Sequence, residues 1–360
     1  MAARRWLRVR IETTNPSGRF QDIKRQHRLP NLRSALNSFQ VLIPDPIHPD
    51  GVTRLRERFV VDTDSGGDAD ALHAAFAAAD AVVVRNLAIP AQLLKAAPKL
   101  KVIAKHGAGV DNIDLDAATR LGIIVANVPG GNADAVAEAT VALMLAAIRR
   151  VPEVHDLVQR GRYSARFELQ FSQLSERTLG LVGIGNIGTR VANICSRGFR
   201  MRVVAFDPGL SAAEIEARGA NKADSLDSLL AVADVVSLHL PLTDDTYHLI
   251  GREQLERMKS SAILINAARG PLVDEIALAT ALRAGVIAGV GLDVFEIEPP
   301  SLDNPILTSP HAVLSPHTAG NTIDAARYLA VSSANIVIDV LSGRRPANLL
   351  NAAAWDRRRC

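Results

Sequence analysis

The sequence predicts an α/β protein made of two doubly wound parallel-sheet domains with a cleft between them. Three observations predict this. Short β-branched runs alternate with Ala/Leu-rich stretches from residue 41 onward, a long helical segment separates two such series, and a glycine fingerprint opens the second. Fully apolar runs of four to six residues, each flanked by turn formers, read as strands buried on both faces. Such strands belong to right-handed βαβ units.

The first series runs VLIPD at 41, DAVVV at 80, KVIAKH at 101 and GIIVANV at 122, with helical segments such as LLKAAPKL and DAATRLG between them. The segment AVAEATVALMLAAIRRVPEVHDLVQRG follows, interrupted at Pro152, and reads as the connector between the two bodies. The second series runs TLGLVGIG at 178, RVVAFD at 202, VVSLHL at 235, AILINA at 262, GVGLDV at 289 and AVLSPH at 312. A final helix, DAARYLAVSSANIVIDVLSG, is capped by Gly343.

Composition narrows the function classes. With 48% hydrophobic and 22% charged residues the chain is globular rather than disordered. Its longest apolar run, Val141 to Ile148, is too short to cross a bilayer, so no membrane role is expected. Cys195 and Cys360 cannot form a disulfide framework and fit a reducing, cytoplasmic setting, and no Cys/His spacing suits a metal. The net charge of +3 is uneven: residues 1–40 hold nine Lys/Arg against Glu12 and Asp22, so the remainder is mildly acidic. This basic segment fits a solvated, poorly ordered extension, an organellar address or a nucleic-acid arm; the first is adopted, with no nucleic-acid partner.

The nucleotide signal is the most specific. Gly183, Gly185 and Gly188 form GxGxxG directly after a strand and at the start of a helix with apolar spacing at Ile187, Val191, Ile194 and Cys195. Gly183 permits the tight turn, Gly185 lets backbone approach a pyrophosphate, and Gly188 allows close helix–sheet packing. The amides of Asn186 and Ile187 would face phosphate at a helix N-terminus. A second strand ends in Asp207, 24 residues after Gly183, where an acid can bind ribose hydroxyls and repel a 2′-phosphate. The expected fold is therefore Rossmann-like and the expected cofactor is NAD.

The blocks INAARGPLVDE, GLDVFEIEPP and LSPHTAG, with HLPLTDDT, GAGVDNIDLDAAT and NVPGGNADAVAEAT, resemble the D-isomer-specific 2-hydroxyacid dehydrogenase family from about residue 41 to 351. That family includes 3-phosphoglycerate dehydrogenase and the hydroxypyruvate/glyoxylate reductases. The resemblance implies that Arg269, Glu298 and His317 are catalytic. A forked guanidinium suits a carboxylate beside a carbonyl, and an imidazole braced by a carboxylate suits proton transfer near neutrality. The family pattern, which the sequence resembles, has its acid five positions after the Asp that falls on Asp293, and so implies Glu298 rather than Glu296. His317 is preferred to His311 because it follows a strand instead of preceding it.

The resemblance also implies cofactor contacts at Leu240, Pro241, Thr246, Ala267, Ala268, Arg269, Asp293, His317 and Gly320. It implies substrate contacts at Arg85, Ala108, Gly109 and Arg269. His239 reads as structural, and His106 has no assigned role. Glu176 stands where the family commonly has a glycine. The expected division is a basic extension over 1–40, a substrate domain over 41–147 plus 322–351, and an NAD-binding domain over 148–321. A homodimer is the family expectation, and the regulatory serine-binding domain of longer phosphoglycerate dehydrogenases is not expected. The implied activity is interconversion of a small D-2-hydroxy acid and its 2-keto acid, such as 3-phosphoglycerate, hydroxypyruvate or glyoxylate. The alternative is an NADH-sensing scaffold like the C-terminal-binding protein corepressors, which share the fold.

Overall fold

The computed structural model describes residues 38–64 and 68–359. The expectation of a poorly ordered basic extension falls almost wholly outside these residues. The first sheet contains β1 (Gln40–Leu42), β2 (Val60–Asp62), β3 (Ala81–Val84), β4 (Val102–Lys105) and β5 (Ile124–Ala126), in the order β2-β1-β3-β4-β5 with every pairing parallel. Helices α1 (Pro49–Arg56), α2 (Ala69–Ala78), α3 (Ala91–Lys95) and α4 (Leu115–Arg120) link the strands. Their starts are set locally: Asp68 and Asp114 accept amides of the first turns of α2 and α4. Adjacent strand residues feed opposite cores. Val41 and Val83 pack with Leu55 on one face, while Leu42 and Val82 pack with Phe76 and Leu94 on the other.

Helix α5 (Ala133–Ile148) follows β5 in the chain. Ala137, Val141, Leu143 and Met144 share a buried cluster with Leu179, Leu181, Val191 and Ile265, so this helix packs on the second sheet. The reason is its nearly all-round apolar surface, which must be covered on several sides and finds that cover against the larger body. The chain then turns at Arg150 (φ 49) into α6 (Val151–Gln159), with Pro152 in the first turn, where its missing N–H leaves no bond unmade.

The second sheet contains β6 (Thr178–Val182), β7 (Arg202–Phe206), β8 (Asn221–Lys222), β9 (Val235–Leu238), β10 (Ile263–Asn266), β11 (Gly289–Leu292) and β12 (Ala312–Leu314). Its order is β12-β11-β10-β9-β6-β7-β8, again parallel throughout. Helices α7 (Asn186–Phe199), α8 (Ala212–Ala217), α9 (Leu226–Val232), α10 (Arg252–Arg257) and α11 (Glu275–Arg283) lie along it. Helix α12 (Ile323–Leu341) returns to the first sheet, where Leu329, Ala334 and Val337 join Val83 and Ala104. Strands β2 and β8 have no counterpart among the expected strands. Both are short, largely uncovered sheet edges, so they lack the continuous apolar run that marks the others.

Strand order reverses between β1 and β3 in one sheet and between β6 and β9 in the other. In open parallel sheets a ligand crevice forms outside the carboxyl ends of strands at such points.

Candidate active site

The glycine turn sits at the reversal point of the larger sheet. Gly183 follows β6 with φ +84, and a Cβ there would lie 2.4 Å from the His239 carbonyl oxygen. A Cβ at Gly188 would meet the Gly183 carbonyl at 2.7 Å, whereas one at Gly185 would meet nothing within 4 Å. The turn is therefore tight behind and open in front, as a backbone cradle for phosphates requires. Asn186 and Ile187 open α7. Beyond β7, the Asp207 carboxylate accepts the Ile184 amide at 3.2 Å and the Gly209 amide at 3.1 Å, which places it beside the turn. A carboxylate has about four acceptor positions, so two bonded amides leave room for ribose hydroxyls.

Further expected contacts lie at neighbouring strand ends. Leu240 lies against Gly183, and the Thr246 hydroxyl donates to the Pro241 carbonyl at 2.9 Å, closing the loop after β9. His239 shares a 2.9 Å hydrogen bond with Ser237, and burial pulls its pKa down to about 4, so it is a neutral structural group near pH 7. After β10, Asn266 ties the Ala267–Ala268 turn by accepting the Ala268 amide and donating to the Arg269 carbonyl. Gly320 abuts the segment before α5: a Cβ there would lie 2.6 Å from Asn132 Nδ2.

Asp293 organises the histidine turn. Fully buried at the end of β11, it accepts the Thr318 amide (2.9 Å), the Ala319 amide (2.8 Å) and the Ser315 hydroxyl (2.6 Å), while its carbonyl accepts the His317 amide (2.7 Å). These bonds hold His317 at φ 52. Its Nδ1 meets Glu298 Oε2 at 2.7 Å, and Glu298 Oε1 accepts the Phe295 amide at 3.1 Å. Glu296 is committed elsewhere: its carboxylate contacts His248 Nε2 and its amide donates to buried Glu275. His311 stands before β12, at the opposite strand end, 3.7 Å from Glu153. The Ser-Pro-His tripeptide occurs twice, at 309–311 and 315–317, in different settings, and of the two histidines only His317 has an acid against its ring at hydrogen-bond distance.

Arg269, Asp293 and His317 follow β10, β11 and β12, three adjacent parallel strands spaced by about 4.8 Å each. Arg269 reaches across to the first sheet's loop after β4: its Nε and Nη2 donate to Asp111 Oδ2 at 3.0 and 2.8 Å. A Cβ at Gly109 would be 2.1 Å from its Nη2, so this approach needs glycine. Among the described residues the Ala108 and Gly109 amides donate to no other group, while the Ala108 carbonyl is held by Asn127 at 2.6 Å.

The rest of that edge is cationic. Arg85, after β3, donates from Nη2 to Asn321 at 2.6 Å and from its amide to Asp45 at 3.0 Å. Lys105 is buried at the end of β4 and donates to the Arg85 carbonyl (2.5 Å) and Asn112 Oδ1 (2.8 Å). His106 is buried beside them, and burial together with the Arg85 charge lowers its pKa to about 4. Sequence reasoning did not single out Asp111, Lys105, Asn112 or Asn321. A polar residue at the end of an apolar strand was the available signal for Lys105; Asp111 offered only an Asp-Asn turn pair.

A pocket of about 450 Å³ is lined by Phe295, Glu298, Pro299, Pro300, Leu314 and His317. A larger one of about 740 Å³ lies at the amino ends of β6, β7 and β8, around Thr178, Arg202 and Asn221. The larger is the wrong edge for this chemistry, because ligands gather at carboxyl ends. No helix among the described residues is long and apolar enough to cross a membrane.

Comparison with known proteins agrees with this geometry. Residues 141–319 match the family model described as D-isomer specific 2-hydroxyacid dehydrogenase, NAD binding domain. A glyoxylate reductase of Korarchaeum cryptofilum is 42% identical over 266 residues, covering 73% of this chain and 80% of that protein. A D-3-phosphoglycerate dehydrogenase of Archaeoglobus fulgidus is 38% identical over 314 residues, covering 87% of this chain but 59% of that protein, so the chain spans under two thirds of it. The crystal structure of D-lactate dehydrogenase from Aquifex aeolicus, complexed with NAD and lactic acid, superposes with a TM-score of 0.77 at 29% identity, over 87% of this chain and 99% of that one. A glycine cradle beside an acid, a histidine braced by a glutamate and extensive likeness along both lobes converge on one assignment: the chain belongs to the D-isomer specific 2-hydroxyacid dehydrogenase family.

Proposed function

We propose that the chain catalyses the NAD-dependent interconversion of a small D-2-hydroxy acid and its 2-keto acid. The observation that carries this reading is the 2.7 Å His317–Glu298 contact at the same sheet edge as the glycine turn. The residues that would hold the dinucleotide are Gly183 to Gly188 at the pyrophosphate and Asp207 at the ribose. Leu240, Pro241, Thr246, Ala267, Ala268, Asp293 and Gly320 would stand along its path. When bound, the nicotinamide supplies or accepts the hydride exchanged with the substrate's C2.

The chain's own residues do the rest. Arg269 presents a permanent planar charge to the acid's carboxylate and carbonyl. The Ala108 and Gly109 amides would offer the carboxylate further donors, and Arg85, at the same edge, would meet a charged substituent at C3. With Nδ1 against Glu298, His317 keeps Nε2 for the substrate oxygen. It donates a proton there in keto-acid reduction and takes it back in hydroxy-acid oxidation, while Glu298 fixes the ring's orientation. The domain assignment that fits is 41–132 plus 322–351 for the acid and 133–321 for the dinucleotide.

The test mixes NADH with glyoxylate, hydroxypyruvate, pyruvate and phenylpyruvate and follows loss of NADH absorbance. Turnover of at least one acid is expected; tight NADH binding without turnover of any would favour the scaffold reading. Asp207→Ala is expected to lower the NAD-over-NADP ratio of kcat/KM by about tenfold or more, the worth of one or two charge-assisted hydrogen bonds. An unchanged ratio would remove Asp207 as the selector.

A homodimer is supported by the arm that follows α5. Helix α6 has no buried residue, and Val158, Tyr163 and Phe167 are exposed, with the Arg166 guanidinium 4.4 Å from both aromatic rings. A second copy covering this apolar surface is expected, and light scattering that returns a monomer mass would count against it. A cytoplasmic location is supported by the presence of only two cysteines, Cys195 and Cys360, too few for a disulfide framework.

A further inference from the structure

Asp111 holds an unusual share of the Arg269 guanidinium. Nε and Nη2 both donate to its Oδ2, and Nη1 donates to the Ala268 carbonyl at 2.7 Å, so all three nitrogens are engaged. The plane of the fork is therefore fixed from both sides of the cleft: by Asp111 on the loop after β4, and by the backbone of Arg269's own turn. That loop also carries Ala108 and Gly109, with Gly109 pressed against Nη2. Arginine donors and loop amides are thus brought into register by one carboxylate. Stability is not its use, because Asp111 is 62% and Arg269 35% exposed and such pairs contribute little to folding.

We propose that Asp111 is a positioning residue that aims the Arg269 guanidinium at the carboxylate and carbonyl of an acid substrate. The inference rests on the activity proposed above. It has a second, electrostatic consequence through Lys105. Burial lowers the Lys105 pKa from 10.5 to about 8; Asp111 opposes that fall most strongly, Arg269 adds to it, and Asp45 (raising) and Arg85 (lowering) are the other charged groups facing the ammonium. Lys105 is charged below about pH 8 and neutral above it, so its attraction for an anion is lost as pH rises. Removing the Asp111 charge moves that loss to lower pH.

The experiment titrates oxamate, an unreduced keto-acid analogue, into the NADH complex of wild type, Asp111→Ala and Asp111→Asn across pH, following NADH fluorescence. Kinetics with any acid that turns over run in parallel. Asp111→Ala is expected to weaken oxamate and lower kcat/KM by about tenfold or more, since small misplacements of binding groups carry losses of that order. Asp111→Asn should recover part of this, because its amide oxygen can still accept from Nε and Nη2. In wild type, oxamate affinity should decline above about pH 8. In Asp111→Asn the decline should begin at lower pH, because the charge that most opposes the fall in the Lys105 pKa is gone. NADH affinity and Tm should be preserved in both variants. Oxamate affinity in Asp111→Ala within about twofold of wild type, or a loss matched by equal losses of NADH affinity and Tm, overturns the proposal. Wild type that binds oxamate but reduces no keto acid defeats the proposed activity alone, and wild type that neither binds oxamate nor reduces a keto acid defeats both.

Discussion

Replacing His317 with alanine is expected to lower kcat by about 10²–10⁴-fold, the usual worth of a general acid or base. NADH affinity should stay within about twofold of wild type, because the glycine turn and Asp207, which would hold the pyrophosphate and ribose, are left untouched. The glycine turn hangs on β6, while His317 follows β12 at the far edge, with β9, β10 and β11 between them. The turn itself should survive: its bonds run from backbone amides and the Ser315 hydroxyl to Asp293, and none uses the imidazole. Single-turnover rates with an NADH binding titration check this. Wild-type turnover in the variant would end the proposed proton path.

Arg269→Lys should be nearly as damaging, with kcat/KM reduced by about 10²–10³-fold. Lysine keeps the charge but loses the planar fork. One ammonium cannot satisfy Asp111, the Ala268 carbonyl and an acid substrate from the positions the three guanidinium nitrogens occupy. KM for the acid should rise together with the fall in kcat, because the same fork binds the ground state and stabilises the developing alkoxide. Steady-state kinetics at saturating NADH decide it; a variant within about threefold of wild type would show that charge alone suffices.

Most of this architecture was legible because parallel strands covered on both faces must be apolar throughout. DAVVV and AILINA could hardly be anything else, and the glycine spacing announced the turn after β6. The edge strands β2 and β8 carried no such run. The allegiance of α5 was hidden because an all-apolar helix gives no direction to its partner. The preference for Glu298 over Glu296 came from the family pattern and that for His317 over His311 from strand polarity; in the structure Glu296 contacts His248 and His311 lies near Glu153. Asp111 was not legible. Its partner lies 158 positions away on the other sheet, and an Asp-Asn pair after a strand ordinarily reads as a turn. Glu176, expected where glycine is common, adopts φ 66 on the surface, a backbone state that explains the common glycine.

The return of α12 to the first sheet means that the polypeptide passes between the lobes twice, near residues 127–132 and again near 319–322. Those two passages touch, with Gly320 set against Asn132. Two covalent straps side by side behave like the pins of a door: the lobes can swing about the line through them, while twisting or sliding would have to stretch one strap against the other. Such a mount would return the Arg269 fork to the same place on the opposite loop after every swing.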